Sequence, residues 1–160
     1  KKRDMLERTL AINERTYGSD HPHVAATLNN LGNAYGQLGD QAKKRDVLER
    51  ALAIFERAYG RDHPEVAKTL GNLGNAYGDL GDHAKKLELQ ERALAIKERQ
   101  YSRDHIELAP TLANIGVAHM QFGASDKARA YLERASAIFE RAYGPDHGYS
   151  QQCRSILAEL

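Results

Sequence analysis

Cysteine is nearly absent from the sequence, since Cys153 is the only one among 160 residues. No disulfide can therefore form within the chain, which predicts a reducing, cytoplasmic setting. Charge of one sign is not in excess either, with 23 Lys and Arg against 22 Asp and Glu. This balance argues against a dedicated nucleic-acid-binding protein. No apolar run approaches the roughly 20 residues of a membrane-spanning helix, so we expect no membrane association.

Sequence signatures of catalysis are also missing. The chain contains no nucleophile elbow, phosphate-binding loop or zinc-binding pattern. Four of the seven histidines recur every 42 residues, at His21, His63, His105 and His147. Copies of one repeat position form a row and do not converge on one ion, so we interpret these histidines as helix starts. His21 and His23 could bind a transition metal only weakly, because no third ligand is near. We predict no enzyme activity, no metal and no cofactor.

The most informative feature is an internal repeat of 42 residues. Residues 6–47 and 48–89 are identical at 30 of 42 positions, 90–131 form a more divergent copy, and 132–160 form a partial one. A fixed period of this length is typical of a solenoid, in which each unit buries its apolar face against its neighbours. We therefore predict one repeat array over residues 1–160.

Two helices are expected in each repeat. Apolar residues at Val24, Leu28, Leu31 and Tyr35 follow a helical spacing, and a second stripe begins at Leu48. Strand patterns are absent. The sequence predicts about eight helices, at 1–17, 22–38, 41–59, 64–80, 83–101, 106–122, 125–143 and 147–159.

Aspartates at the predicted helix starts are candidates for N-caps. Asp40 can cap the helix that begins at 41. Asp62 and Asp104 each precede a glutamate by three residues, Glu65 and Glu107, in the spacing of a capping box.

The repeat resembles the tetratricopeptide repeat (TPR). The matching residues are Leu31-Gly32-x-x-Tyr35 with Gly39, Leu73-Gly74-x-x-Tyr77 with Gly81, and Ile115-Gly116 with Gly123, where His119 replaces the tyrosine. The longer period and the Tyr-Gly-x-Asp-His-Pro connector are similar to the kinesin light chain and nephrocystin-like branch. The resemblance implies an all-α, right-handed solenoid of antiparallel helical pairs and a role as a protein-interaction scaffold.

One position departs from the family pattern. The family has alanine where the second helix comes closest to the first, and Ala128 fits, but Lys44 and Lys86 stand there in the other copies. We expect their stems to run along the apolar seam and their ammonium groups to reach water, with slightly looser helix pairing. Gly36 and Gly78 lie nearby and could serve either the approach of a ligand or close helix packing.

The first helix of each repeat is expected to line a concave groove that binds a peptide or a partner helix. The helix side opposite the core stripe presents mainly polar residues. We predict a peptide-binding set of Asn29, Asn30, Asn33, Gln37, Lys68, Asn72, Asn75, Asp79, Asn114 and Gln121.

Asn30, Asn72 and Asn114 are spaced by 42 residues and should form a row. An amide can both donate to and accept from a peptide backbone. The segment Leu28-Asn29-Asn30-Leu31-Gly32-Asn33 resembles the asparagine ladder of O-linked N-acetylglucosamine transferase. The alternative is that these amides bond neighbouring repeats and bind nothing.

Two other functions are compatible with the sequence. The array could be a sensor or autoinhibitory arm of a larger signalling ATPase, or a homotypic assembly module. The chain begins at the second helix of a repeat, so Met5 and Leu10 should be partly exposed; we expect a longer parent array or self-association through this helix. Lys68 is the only cation that we place in the groove, which disfavours a carboxylate clamp and gives weak support to the acidic peptides of kinesin light chains.

Overall fold

The computed structural model describes residues 1–160, which are all-α and contain no strand. A 3₁₀ turn, Ile106–Leu108, precedes α6. The α-helices are α1 Lys2–Tyr17, α2 Pro22–Gln37, α3 Gln41–Tyr59, α4 Pro64–Asp79, α5 His83–Gln100, α6 Ala109–Gln121, α7 Ser125–Tyr143 and α8 Gly148–Ala158. The predicted all-α fold and its eight helices are confirmed, with most helix ends within one residue of the sequence prediction.

The start of α6 differs from the prediction for a local reason. In α2 and α4, the first helical residue is proline, Pro22 or Pro64. The corresponding residue in the third repeat is Ile106, and the proline lies at Pro110 instead. Proline has no N–H to donate to the carbonyl four residues earlier. The carbonyl of Ile106 accepts from the N–H of Ala109, so the first turn is 3₁₀.

The chain divides into two compact units, residues 1–89 and 90–160. The division coincides with the boundary between the second and third sequence repeats. In unit 1, α2 packs against α1 and α3, and α3 packs against α4; in unit 2, α7 packs against α6 and α8. Each unit buries the predicted stripes, including Leu28, Leu48 and Leu70 in the first and Leu112 and Leu132 in the second. The single array over 1–160 stays a prediction.

Histidine, not aspartate, is the N-cap in the connectors. Nδ1 of His63 accepts from the N–H of Glu65 at 3.2 Å, with φ −77° and ψ 147° at His63. His21, His105 and His147 cap in the same way. The capping boxes predicted from Asp62 and Asp104 were therefore wrong by one residue, although the histidines do mark helix starts. Asp40 caps α3 as predicted, since its Oδ1 accepts from the N–H of Lys43.

The cap at His63 gives a stability prediction. We expect His63→Ala to lower the free energy of unfolding by about 1 kcal/mol, because the N–H of Glu65 loses its acceptor. His63→Asn should retain most of the stability, since asparagine is a good N-cap. Urea unfolding of both variants would measure this. Equal loss in the two variants would contradict the cap and would place the effect in the ring contact of His63 with Tyr59, whose centroids lie 4.4 Å apart.

Two glycines of unit 1 make room for lysine stems. A Cβ added at Gly36 would lie 3.0 Å from Cδ of Lys44, and one added at Gly78 would lie 2.6 Å from Cδ of Lys86. These glycines therefore serve helix packing, and the predicted course of the lysine stems along the seam is confirmed. Lys44 reaches less water than expected: its side chain is 12% exposed, and its Nζ lies 3.6 Å from Oδ2 of Asp79. Burial also lowers the pKa of Lys86, opposed by the charge of Asp79.

Helix α1 contains no buried residue. Met5 and Ile12 are exposed large apolar side chains on this helix, and Leu10 is half-buried. The expected partial exposure of Met5 and Leu10 agrees with the structure. Self-association through this helix remains a prediction.

Candidate functional site

In unit 1, the predicted polar face lies on α2 and α4. Asn30, Asn33 and Gln37 are exposed on α2, while Lys68 is exposed and Asn72 half-buried on α4. The side-chain amides of Asn30 and Asn72 make no hydrogen bond within the chain. They are therefore available to a ligand.

Asn29 has a different role from its neighbour Asn30. It is 3% exposed, and its Nδ2 donates to Oγ1 of Thr69 at 2.8 Å. The hydroxyl of Thr69 in turn donates to the carbonyl of Glu65. Asn29 thus ties α2 to α4 through its amide N–H. Asn29 is buried and Asn30 is exposed because consecutive residues of a helix are rotated by about 100° about its axis.

Asn75 and Asp79 are the other predicted residues of α4, and two of the α4 residues, Lys68 and Asp79, lie near charges of opposite sign. Asn75 is half-buried. Asp79 is exposed and lies near the ammonium of Lys44. Nζ of Lys68 lies 3.8 Å from Oε2 of Glu65, one helical turn earlier, so the charge of Lys68 is partly balanced on its own helix.

Two tyrosines of the repeat motif bond a glutamate on the helix that precedes their own. The hydroxyl of Tyr35 donates to Oε1 of Glu7 at 2.9 Å, and the hydroxyl of Tyr77 donates to Oε1 of Glu49. In the third repeat, the tyrosine is replaced by His119, which is buried and stacks on Tyr131.

The bond to Glu49 predicts a pH dependence. Together with burial and the carboxylate charge, it raises the pKa of Tyr77 to about 12 from the ordinary value of 10.0. The folded state therefore favours the protonated phenol, and this stabilisation is complete below about pH 10 and is lost as the pH rises through about 12. The difference in tyrosinate absorbance between the protein and Tyr77→Phe should titrate near pH 12. A difference that titrates near pH 10 would contradict the bond.

Unit 2 contains a cleft of about 420 Å³ between α6 and α8. Asn114 of the predicted set lies in its wall, and its amide makes no hydrogen bond within the chain. The apolar part of this cleft was not predicted from the sequence; it includes Val117, Phe139 and Ile156. Val117 is the available signal, because it stands where the first two repeats have Asn33 and Asn75. Gln121, the last predicted residue, is exposed near the end of α6.

The thiol of Cys153 also lines this cleft. It is buried, and desolvation with the nearby charge of Glu140 raises its pKa. The thiol form therefore dominates at neutral pH, and Cys153 behaves as a small apolar side chain. No group of three or more His, Cys, Asp or Glu side chains comes together as a metal site. No helix is long and apolar enough to cross a bilayer.

Comparison with known proteins gives the family. The tetratricopeptide repeat profile matches residues 3–43, 45–99 and 87–141, and a second profile of the same description matches 24–65. No curated protein sequence matches the chain significantly.

Solved structures support the same assignment. A protein of Podospora anserina assigned as a kinesin light chain, with nearly identical TPR-like repeats, superposes with a TM-score of 0.81 at 25% identity, over 98% of this chain and 74% of that one. A single-substitution variant of that protein superposes with a TM-score of 0.82, at the same identity and coverage.

BtubC (BKLC) from P. vanneervenii gives a TM-score of 0.79 at 28% identity, over 91% of this chain and 57% of that one. Tetratricopeptide repeats are typically non-catalytic scaffolds with protein partners, and these matches support a protein-interaction scaffold. The chain belongs to the tetratricopeptide repeat family, and its repeats are of the kinesin light chain type.

Proposed function

We propose that the first-helix faces of this scaffold bind an extended peptide or a partner helix of another protein. The observation that carries the proposal is the contrast between two kinds of asparagine. Asn29 bonds a neighbouring helix, whereas the amides of Asn30, Asn72 and Asn114 have no hydrogen-bond partner within the chain. The alternative, that the amides of this row bond neighbouring repeats, has no such hydrogen bond to support it at these three residues.

The chemistry of the amide explains what it would bind. Each asparagine offers one carbonyl acceptor and two N–H donors. A peptide unit offers one donor and one acceptor, so an amide can satisfy it without reading the side chain. Extended peptides are recognised in this way, with pockets between the polar contacts supplying specificity. In unit 2, such a contact at Asn114 lies beside the apolar cleft.

Peptide binding by two variants would test the proposal. A random-peptide display library is selected on the chain, and affinities of enriched peptides are measured for Asn30→Ala/Asn72→Ala in unit 1 and for Asn114→Ala in unit 2. We expect peptides bound by one unit to lose about 10-fold in affinity on the variant of that unit, on the order of 1.4 kcal/mol.

Glu133→Gln is the control, because this exposed side chain lies on α7, a second helix. It should leave affinity unchanged. If no peptide enriches, or if all variants bind like the parent, the asparagines do not form a peptide site and the proposal is wrong.

A further inference from the structure

The cleft of unit 2 lies where unit 1 has a polar bridge between two helices. Two repeat periods after Asn29 and Thr69 stand Ala113 and Cys153. The asparagine and threonine hydrogen-bond at 2.8 Å across α2 and α4. Alanine and cysteine make no such bond, and both line the open space between α6 and α8. In unit 1, the bonded side chains of Asn29 and Thr69 occupy the corresponding positions.

The walls of this cleft are suited to a bulky apolar side chain. Val117 replaces an asparagine of the other repeats, and Ile156 faces the cleft from α8. Phe139 is buried, and its ring lies 5.1 Å from that of Tyr149, centroid to centroid. Apolar burial against such walls favours binding in proportion to the apolar area removed from water. A leucine- or phenylalanine-sized group is the occupant that gains most.

The charge around the cleft determines which residues are favoured next to the apolar side chain of a bound peptide. Glu107 is the only lining side chain that is charged at neutral pH, and its carboxylate has no ion pair within the chain. Lys97 lies near this wall, but its ammonium donates to the backbone carbonyl of Glu107 and to the hydroxyl of Thr111. Burial lowers the pKa of Lys97, and the charge of Glu107 opposes that shift.

No lysine or arginine lines the cleft. Arg154 of α8 is held by Oε1 of Glu140 at 3.3 Å and by the carbonyl of Pro145 at 2.6 Å. The half-exposed rings of Tyr143 and Tyr149 also line the cleft, and tyrosine faces attract cations. The cleft therefore favours positive charge beside its apolar pocket.

We infer that this cleft binds a peptide segment in which a bulky apolar residue stands next to a lysine or arginine. The inference rests on the proposed peptide-binding function and adds the chemistry of the ligand. It is opposite in charge to the acidic peptides that the kinesin light chain resemblance implies.

The test uses the same random-peptide library and counts the residues that flank the apolar position in enriched peptides. We expect lysine and arginine to exceed aspartate and glutamate. An enriched peptide should bind Glu107→Gln about two- to fivefold more weakly than the parent. Higher salt should weaken binding to the parent more than binding to Glu107→Gln.

Two variants that introduce residues of the other repeats test the apolar pocket. Val117→Asn restores the residue of the first two repeats, and Ala113→Asn/Cys153→Thr restores the bridge of unit 1. Each variant should bind the same peptide with about 10-fold lower affinity, and circular dichroism should show unchanged helicity.

Enrichment of aspartate or glutamate beside the apolar position, or full affinity in Glu107→Gln, would overturn the inference. A loss of peptide affinity in Asn114→Ala would still support the proposed function. Absence of any bound peptide would overturn both.

Discussion

Replacement of Gly116 by alanine is expected to lower the free energy of unfolding by about 1–3 kcal/mol, although alanine is the better helix former. Gly116 is buried in α6, and an added Cβ would lie 2.6 Å from Cγ of Leu132 and 3.2 Å from the carbonyl oxygen of Ala128. Leu132 is fully buried on α7 and has no free space to move into. The methyl group must therefore push α6 and α7 apart or force a strained rotamer.

Gly71→Ala is the matched control for this experiment. Gly71 also lies within a helix, α4, but an added Cβ would have no neighbour within 4 Å. Alanine there should stabilise the chain by about 0.5–1 kcal/mol, because only the helix propensity changes. Urea unfolding followed by circular dichroism would compare the two variants. If Gly116→Ala were as stable as Gly71→Ala, the close contact of α6 with α7 would not be required.

The second large effect is expected from exchanging a seam pair between repeats. Gly78 and Lys86 pair in the second repeat, whereas Met120 and Ala128 occupy the same two positions in the third. In each case, a long side chain at one position is matched by a small residue at the other. We therefore expect a larger side chain at position 78 to be tolerated when the side chain at position 86 is made smaller.

A double-mutant cycle would measure this compensation. Gly78→Met alone should destabilise by about 1–3 kcal/mol, since it displaces the buried stem of Lys86. Lys86→Ala alone should destabilise through lost packing of that stem. The double variant should recover most of both losses, with a coupling energy of about 1–2 kcal/mol.

Additive losses in the double variant would contradict this account. They would mean that methionine cannot take the course of the lysine stem. A useful comparison is Ala53→Met, since Ala53 is exposed on α3 and offers no pair to exchange. It should show no coupling with Lys86→Ala, because distant sites add independently.

Periodicity alone was enough to place the helices. The stripe through Leu28 and Leu31 and the glycines that end each helix predicted α2 and α3 closely. These signals are local, because a helix depends on neighbours three and four residues away. The one irregular start, at Ile106, depends on where a proline falls in the sequence; the pattern contained that information, but the prediction did not use it.

The caps show where local reasoning was insufficient. Asp62 and His63 are adjacent, and both residue types can accept a backbone hydrogen bond. The extended backbone at His63 decides which one does. The aspartate position is then left to pair elsewhere, as Asp20 does with Arg57 at 2.7 Å.

The family, the two-helix repeat and the polar character of the first-helix faces could be predicted from the amino-acid sequence, because they depend on spacing along one chain. Which amides have a partner could not, because that depends on the neighbouring helix: Asn29 bonds Thr69, whereas Asn30 faces solvent. The same holds for the cleft of unit 2. Its volume arises where Ala113 and Cys153 line one space from two different helices, and no local pattern encodes a contact between positions so far apart in the chain.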